Sequence, residues 1–237
     1  MKLTITPNEL HIWSECLSVS PKQERSLRAL LSEDECERAD RFRFASHKQR
    51  FITARATLRK ILGIYLGVNP KEISFAYTEY NKPYLLTPKT SLTFNVSHSN
   101  NIAVYVISSE ASVGIDIEKT QSTYNPDLAK RFFSVEENAA LNALTPDEQI
   151  TEFYRLWSRK EALVKASGKG LTMPLNSFSV VMKETASIKF EEEDWYLEPI
   201  TLQTGYQITV ASNQMIKKIS CWKIVDHQPA LDKNYDL

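Results

Sequence analysis

Asp116 and Glu118 stand two residues apart in the stretch Val113-Gly114-Ile115-Asp116-Ile117-Glu118-Lys119. Alternate side chains of an extended chain share a face, which sets these two carboxylates about 7 Å apart. Side by side they repel. A hard cation bound by oxygen, typically Mg²⁺ with retained water and a substrate phosphate, relieves that repulsion. A solvated strand end carrying two acids has the same spacing, so the pair needs partners before it means a metal site.

Candidate partners lie on both sides. Trp157, Glu161 and Lys165 are four residues apart and share one helical face, with Lys160 beside them and Lys169 just beyond. A core tryptophan with a surface Glu–Lys pair is the plainer reading of that face. His98, in the polar run Ser97-His98-Ser99-Asn100-Asn101, could donate to a phosphate or move a proton, or simply be solvated. Lys82 is held extended before Pro83 on a turn and reads as a phosphate or nucleobase contact, or as plain surface. The segment from Arg38 to Lys60 is locally very basic: either a solvated helix face or a set of cations reaching past a buried face into a cleft.

The elements that must hold these residues follow from periodicity and punctuation. Strands are expected over Glu9–Cys16, Ile73–Tyr77, Leu92–Val96, Ile102–Ile107 and the acidic stretch itself. Ser20-Pro21 opens a helix, and Ser32 with Glu35 forms a capping box for another. Arg41 to Leu66 reads as one long helix with Phe44, Phe51, Leu58, Leu62 and Tyr65 as its apolar stripe and Arg41, Lys48, Arg55 and Arg59 along one edge. Further helices start at Pro126, after Ser134 and after Thr145, the last running to a stop at Gly168. Strands are expected over 177–182, 187–190, 195–200, 206–211 and 219–225, followed by a frayed polar tail from Asp226.

Lys119 to Pro126 is the best linker, dividing the chain into residues 1–119 and 120–237. Each half offers helices and then strands, an α+β pattern without a detectable sequence repeat. The 237 residues are 42% hydrophobic and 24% charged, enough for a sizeable core, and 29 Lys+Arg balance 29 Asp+Glu. That balance argues against nonspecific attraction to nucleic acid or membranes. No apolar run is long enough to span a membrane, and the expected compartment is the cytoplasm. Cys16, Cys36 and Cys221 are far apart and read as free thiols.

Phe94-Asn95-Val96-Ser97-His98-Ser99, the acidic stretch, and Trp157-Ser158-Arg159-Lys160-Glu161-Ala162-Leu163-Val164-Lys165 running on to Gly168-Lys169-Gly170-Leu171 occur in that order, after Asn81-Lys82-Pro83-Tyr84. Together they resemble the 4′-phosphopantetheinyl transferases of the two-lobed, surfactin-synthetase-activating type, over about residues 31 to 181. The resemblance implies two similar α+β lobes related by a pseudo-twofold, each an antiparallel sheet packed with helices, with the active site in the cleft between them. It implies Mg²⁺-dependent transfer of phosphopantetheine from coenzyme A to a serine of an apo acyl or peptidyl carrier protein, releasing adenosine 3′,5′-bisphosphate.

By the same resemblance, Asp116, Glu118 and Glu161 are the metal ligands and Glu161 the base, unless a water held by the cation takes the proton. His98 and Lys165 contact the pyrophosphate, Lys160 lies next to the metal acid, Lys82 and Ser97 face the adenosine, and Arg38 and Arg50 meet the 3′-phosphate. Glu35 stands at a neighbouring position where relatives often carry lysine, which leaves open whether the 3′-phosphate clamp is altered. Phe132-Phe133 and Lys169 to Ser179 are candidate carrier contacts, the two phenylalanines being equally readable as core. A chain holding both lobes is expected to be a monomer. The competing readings are Mg²⁺-dependent hydrolysis of a nucleotide pyrophosphate, and a catalytically inactive coenzyme A- or carrier-binding protein.

Overall fold

The computed structural model describes residues 2–170, 173–180, 187–225 and 228–236. Its two halves repeat one order of helices. The first has α1 (Pro21–Arg28), α2 (Glu33–Asp40) and α3 (Ala45–Leu66); the second has α4 (Pro126–Phe132), α5 (Val135–Asn142) and α6 (Pro146–Ser167). Capping boxes open α1, α2, α5 and α6 from Ser20, Ser32, Ser134 and Thr145, each satisfying backbone donors that a helix start leaves over. Gly67 and Gly168 end the two 22-residue helices at φ +71° and +76°, a left-handed conformation that glycine adopts at no steric cost.

The long helix expected from Arg41 begins only at Ala45, because the chain turns at 41–44. Asp40 there bridges Arg28 and Lys48, each at 2.7 Å, and Phe42 folds back onto Phe51. Phe44 is consequently 56% exposed instead of joining the apolar stripe, while Arg59, expected on the edge, is 1% exposed.

Strands β1 (Glu9–Cys16), β4 (Thr93–Ser99), β5 (Ile102–Ser108), β10 (Lys218–Val225) and β11 (Gln228–Asp236) form a five-stranded sheet ordered β11-β10-β1-β5-β4, antiparallel except where β1 runs parallel to β10. β6 (Val113–Lys119), β7 (Ser187–Phe190), β8 (Glu193–Pro199) and β9 (Tyr206–Ser212) form an antiparallel sheet ordered β6-β9-β8-β7, and β2 (Ser74–Tyr77) pairs with β3 (Pro83–Thr87) as a separate hairpin. The halves therefore exchange strands. β6, placed before the expected 119/120 boundary, joins the second sheet, and β10–β11 return to the first. The tail expected to fray is instead paired with β10 as β11; Asp226 itself lies outside the described residues. The strand expected over 177–182 is a short turn at Leu175–Ser177 followed by extended chain, its last two residues lying outside the described set.

Alternation builds the layers. On β5, Ala103, Tyr105 and Ile107 pack with Leu58, Ile61 and Leu62 of α3, while Val104 and Val106 meet Ile115, Ile117, Ile208 and Val210 of the second sheet. Leu156 and Leu163 of α6 cover the far face of that sheet at Leu197 and Ala211. The order is α3, first sheet, second sheet, α6.

Gly114 decides how closely α6 approaches. A Cβ there would overlap the Ala162 carbonyl oxygen and the Ala166 amide nitrogen and lie 2.9 Å from Ala166 Cα, backbone atoms that cannot step aside. Because Asp116 and Glu118 share the Gly114 face, this contact also sets their distance from Glu161 and Lys165. Gly114→Ala is expected to cost about 1–3 kcal/mol, as overpacking does. It should also cut turnover by about 10²-fold through displaced carboxylates. Denaturant unfolding and initial rates check this; a variant with unchanged rate would place the positioning elsewhere.

Candidate active site

A cavity of about 680 Å³ opens between the two halves. β6 supplies Asp116 and Glu118, α6 supplies Trp157, Glu161 and Lys165, and β4 supplies Val96, Ser97 and His98. The opposite wall is α3 with the α2 end: Arg38, Phe42, His47, Arg50, Phe51 and Arg55. One wall is thus carboxylate-rich and the other is arginine-rich.

Polar side chains of β4 stitch the edge of β6. Asn95 Oδ1 accepts the Ile115 N–H at 3.0 Å, Ser97 Oγ donates to Asp116 Oδ1 at 2.9 Å, and Ser99 Oγ accepts the Lys119 N–H at 3.1 Å. These residues alternate along β4 and so point the same way, which is why the motif needs a short polar side chain at every second position. Lys165 Nζ donates to Asp116 Oδ1 at 2.6 Å and to Ser97 Oγ at 2.9 Å. Asp116 is 3% exposed, and its Oδ2 is enclosed without a hydrogen-bond partner.

The field within this wall is strongly negative. Burial, then the Asp116 charge, push the Glu118 carboxyl up to about 7, with Lys165 opposing and Glu161 adding to the rise. Burial also raises Glu161, and Lys165 partly offsets it. His98 is lowered, first by desolvation against the wall and then by Lys165 and Arg50.

Residues 112–211 match the 4′-phosphopantetheinyl transferase superfamily, and residues 18–111 match the 4′-phosphopantetheinyl transferase N-terminal family. The chain is 39% identical over 193 residues to the 4′-phosphopantetheinyl transferase HetI of Nostoc sp., covering 80% of this chain and 81% of that protein. It is 31% identical over 198 residues to the 4′-phosphopantetheinyl transferase Sfp of Bacillus subtilis, covering 82% of this chain and 87% of that one. The chain belongs to the 4′-phosphopantetheinyl transferases.

The cavity of this transferase gathers Arg38, Arg50, Ser97, His98, Asp116, Glu118, Glu161 and Lys165 from the set the sequence points to. It does not gather Lys160 or Lys82. Lys160 is fully buried: its Nζ lies 2.7 Å from Glu137 Oε2 and donates to the carbonyls of Leu175 and Phe178, each at 2.7 Å. Its place one residue before Glu161 turns it about 100° away on the helix, off the cavity face. Lys82 Nζ donates to the carbonyls of Val113 and Ala166, tying the β2–β3 hairpin to the start of β6 and the end of α6, and burial lowers it to about 8. Neither ammonium lines this cavity.

Glu35 also departs from expectation. It does not line the cavity. Its carboxylate is 3% exposed, 2.7 Å from Arg59 Nε and 3.5 Å from Arg55 Nε, and it caps the Ser32 N–H. Phe133 is core, packed on Phe153, while Phe132 meets Trp157 edge-on. Leu171, the last residue of the Gly-Lys-Gly motif, lies outside the described residues. His47 and the aromatic pair Phe42 and Phe51 line the cavity without having been singled out for it; the signal was the spacing of His47, Phe51, Arg55 and Leu58 along one helix face.

Among the described residues no three His, Cys, Asp or Glu side chains already converge on a single ion position. The donor chemistry of the acid wall nevertheless fits a hard divalent cation: three carboxylates on one cavity, one oxygen of Asp116 unpartnered and two carboxyls raised by burial and mutual repulsion. No described helix is long and apolar enough to cross a membrane. All three cysteines are free.

Proposed function

We propose that this transferase moves 4′-phosphopantetheine from coenzyme A to a serine of an apo acyl or peptidyl carrier protein in the cavity between its halves, releasing adenosine 3′,5′-bisphosphate. The observation that carries the reading is the pairing of a carboxylate wall from β6 and α6 with an arginine wall from α2 and α3 across one cavity. Such a polarity suits a substrate with a pyrophosphate at one end and a further phosphate at the other.

Asp116, Glu118 and Glu161 would hold Mg²⁺, which when bound supplies charge stabilisation for the phosphoryl group being transferred. Lys165, already directed at this wall, and His98 at its rim orient the pyrophosphate and offset its developing negative charge. Arg38 and Arg50 face the remote phosphate. Glu161, or a water held by the cation, would take the proton from the carrier serine hydroxyl, an alcohol too weak to attack unaided. Both walls come from one chain, which supports a monomer.

Release of adenosine 3′,5′-bisphosphate, followed with and without apo carrier, tests the reading. Release that requires the carrier is expected. Equal release without carrier would mean hydrolysis by water, and coenzyme A binding without any release would mean a binding protein.

A further inference from the structure

We infer that Lys82 is a positioning residue for the acid wall: its ammonium fixes α6 on β6 and so sets how the carboxylates of the two elements face each other. The inference rests on the reading above, in which that wall holds the cation. It replaces the adenosine contact that the resemblance assigns to Lys82 with a role outside the cavity.

The lysine starts from a tightly bonded turn. The Thr78 N–H donates to the Lys82 carbonyl at 3.0 Å, the Lys82 N–H donates to Thr78 Oγ1 at 3.1 Å, and the Asn81 N–H donates to the Thr78 carbonyl at 2.9 Å. From there the side chain crosses to the second half, where Nζ donates to the Val113 carbonyl at 3.1 Å and to the Ala166 carbonyl at 3.0 Å. Val113 opens β6, and Ala166 lies in the last turn of α6. A carbonyl in a last helical turn has no partner within its helix, and a cation there also suits the negative pole of the helix. The hairpin turn packs over the same helix end: a Cβ on Gly168 would lie 3.6 Å from Lys82 Cδ, and one on Gly170 would lie 3.6 Å from Tyr80 Cβ.

The two anchor points belong to the framework of the acid wall. Val113 immediately precedes Gly114, whose missing side chain lets β6 reach the Ala162 and Ala166 backbone. Ala166 immediately follows Lys165 and shares α6 with Glu161. Gly114 permits the close approach; Lys82 holds it, joining strand and helix backbones through charge-assisted hydrogen bonds, which are about twice as strong as neutral ones. A slide or rotation of α6 on β6 would carry Glu161 and Lys165 together away from Asp116 and Glu118, and a misplacement of about 1 Å can cost about a hundredfold in rate. Ser97 and His98 line the cavity and Lys82 does not, so the lysine reaches the framework of the wall and not its ligand.

The test compares the wild type, Lys82→Met and Lys82→Arg in three measurements: kcat and KM for coenzyme A on one apo carrier, Mn²⁺ binding to the protein saturated with coenzyme A, and the Kd of adenosine 3′,5′-bisphosphate without metal. Lys82→Met is expected to lower kcat by about 10- to 100-fold and to weaken Mn²⁺ binding about tenfold, as the loss of an outer support of metal ligands does. KM for coenzyme A and the nucleotide Kd should stay within about twofold of wild type, since a residue off the cavity adds nothing to uniform binding. Lys82→Arg keeps a cation with several donors and should fall between on kcat and Mn²⁺ binding; should Lys82→Met not fold, Lys82→Arg decides alone. Nucleotide binding weakened as much as Mn²⁺ binding or more, or no change in either, would overturn the inference. A wild type that binds no Mn²⁺, or that transfers to no apo carrier, would instead contradict the reading of the acid wall on which the inference rests.

Discussion

Glu161→Ala is expected to lower the single-turnover transfer rate by about a thousandfold or more while the protein keeps its fold. The change removes one of three carboxylates from the acid wall and the group that accepts the serine proton; positioned proton transfer alone contributes about 10²–10⁴-fold. Among the described residues Glu161 makes no ion pair or hydrogen bond that holds the core together, and burial raises its carboxyl, so stability should hold or improve slightly. Rapid-quench rates with coenzyme A and carrier saturating, paired with a melting curve, check both halves. A rate within tenfold of wild type would remove Glu161 from the chemistry.

Lys160→Met is expected to act in the opposite way, on stability and not on coenzyme binding. Lys160 and Glu137 are both 0% exposed, and the pair is fully used: Glu137 also accepts the N–H groups of Ser134 and Val180, each at 2.7 Å. Breaking a buried ion pair from one side leaves the other charge unpartnered, at a cost of about 3–5 kcal/mol. In a chain of this length that lowers Tm by roughly 10 °C. Glu137→Leu should cost a similar amount, and the double variant less than the two singles together. A Lys160→Met protein of normal stability with a raised KM for coenzyme A would restore Lys160 as a coenzyme ligand.

Lys160 and Lys165 illustrate what could be read without coordinates. Both lie in one short motif, and helix phase separates them: Lys165, four residues after Glu161, shares its face, and Lys160 does not. The destination of Lys160 was not legible, since Glu137 sits on another helix and the carbonyls of Leu175 and Phe178 follow α6. The capping boxes and Gly168 were legible because their partners lie within a few residues. Glu35 shows both kinds of information at once. Its bond to Ser32 is local and readable, whereas its bonds to Arg55 and Arg59 cross from α2 to α3 and reverse the meaning of its charge.

Strand exchange was beyond local pattern for the same reason. Nothing in Lys218–Val225 says that it will run parallel to β1, some 200 residues earlier, because alternation specifies a face and not a neighbour. Asp116 and Glu118 could be placed on one face from their spacing, but their approach to α6 depends on Gly114, whose missing side chain matters only once the Ala162 and Ala166 backbone is known to lie against it.

Intact mass of an apo carrier protein incubated with the full chain, coenzyme A and Mg²⁺ tests the central claim most directly. The account predicts a gain of one phosphopantetheine on one serine with wild type and none with Glu161→Ala. Unchanged mass across fatty-acid, polyketide and nonribosomal-peptide carriers, from a protein that binds coenzyme A, would contradict it.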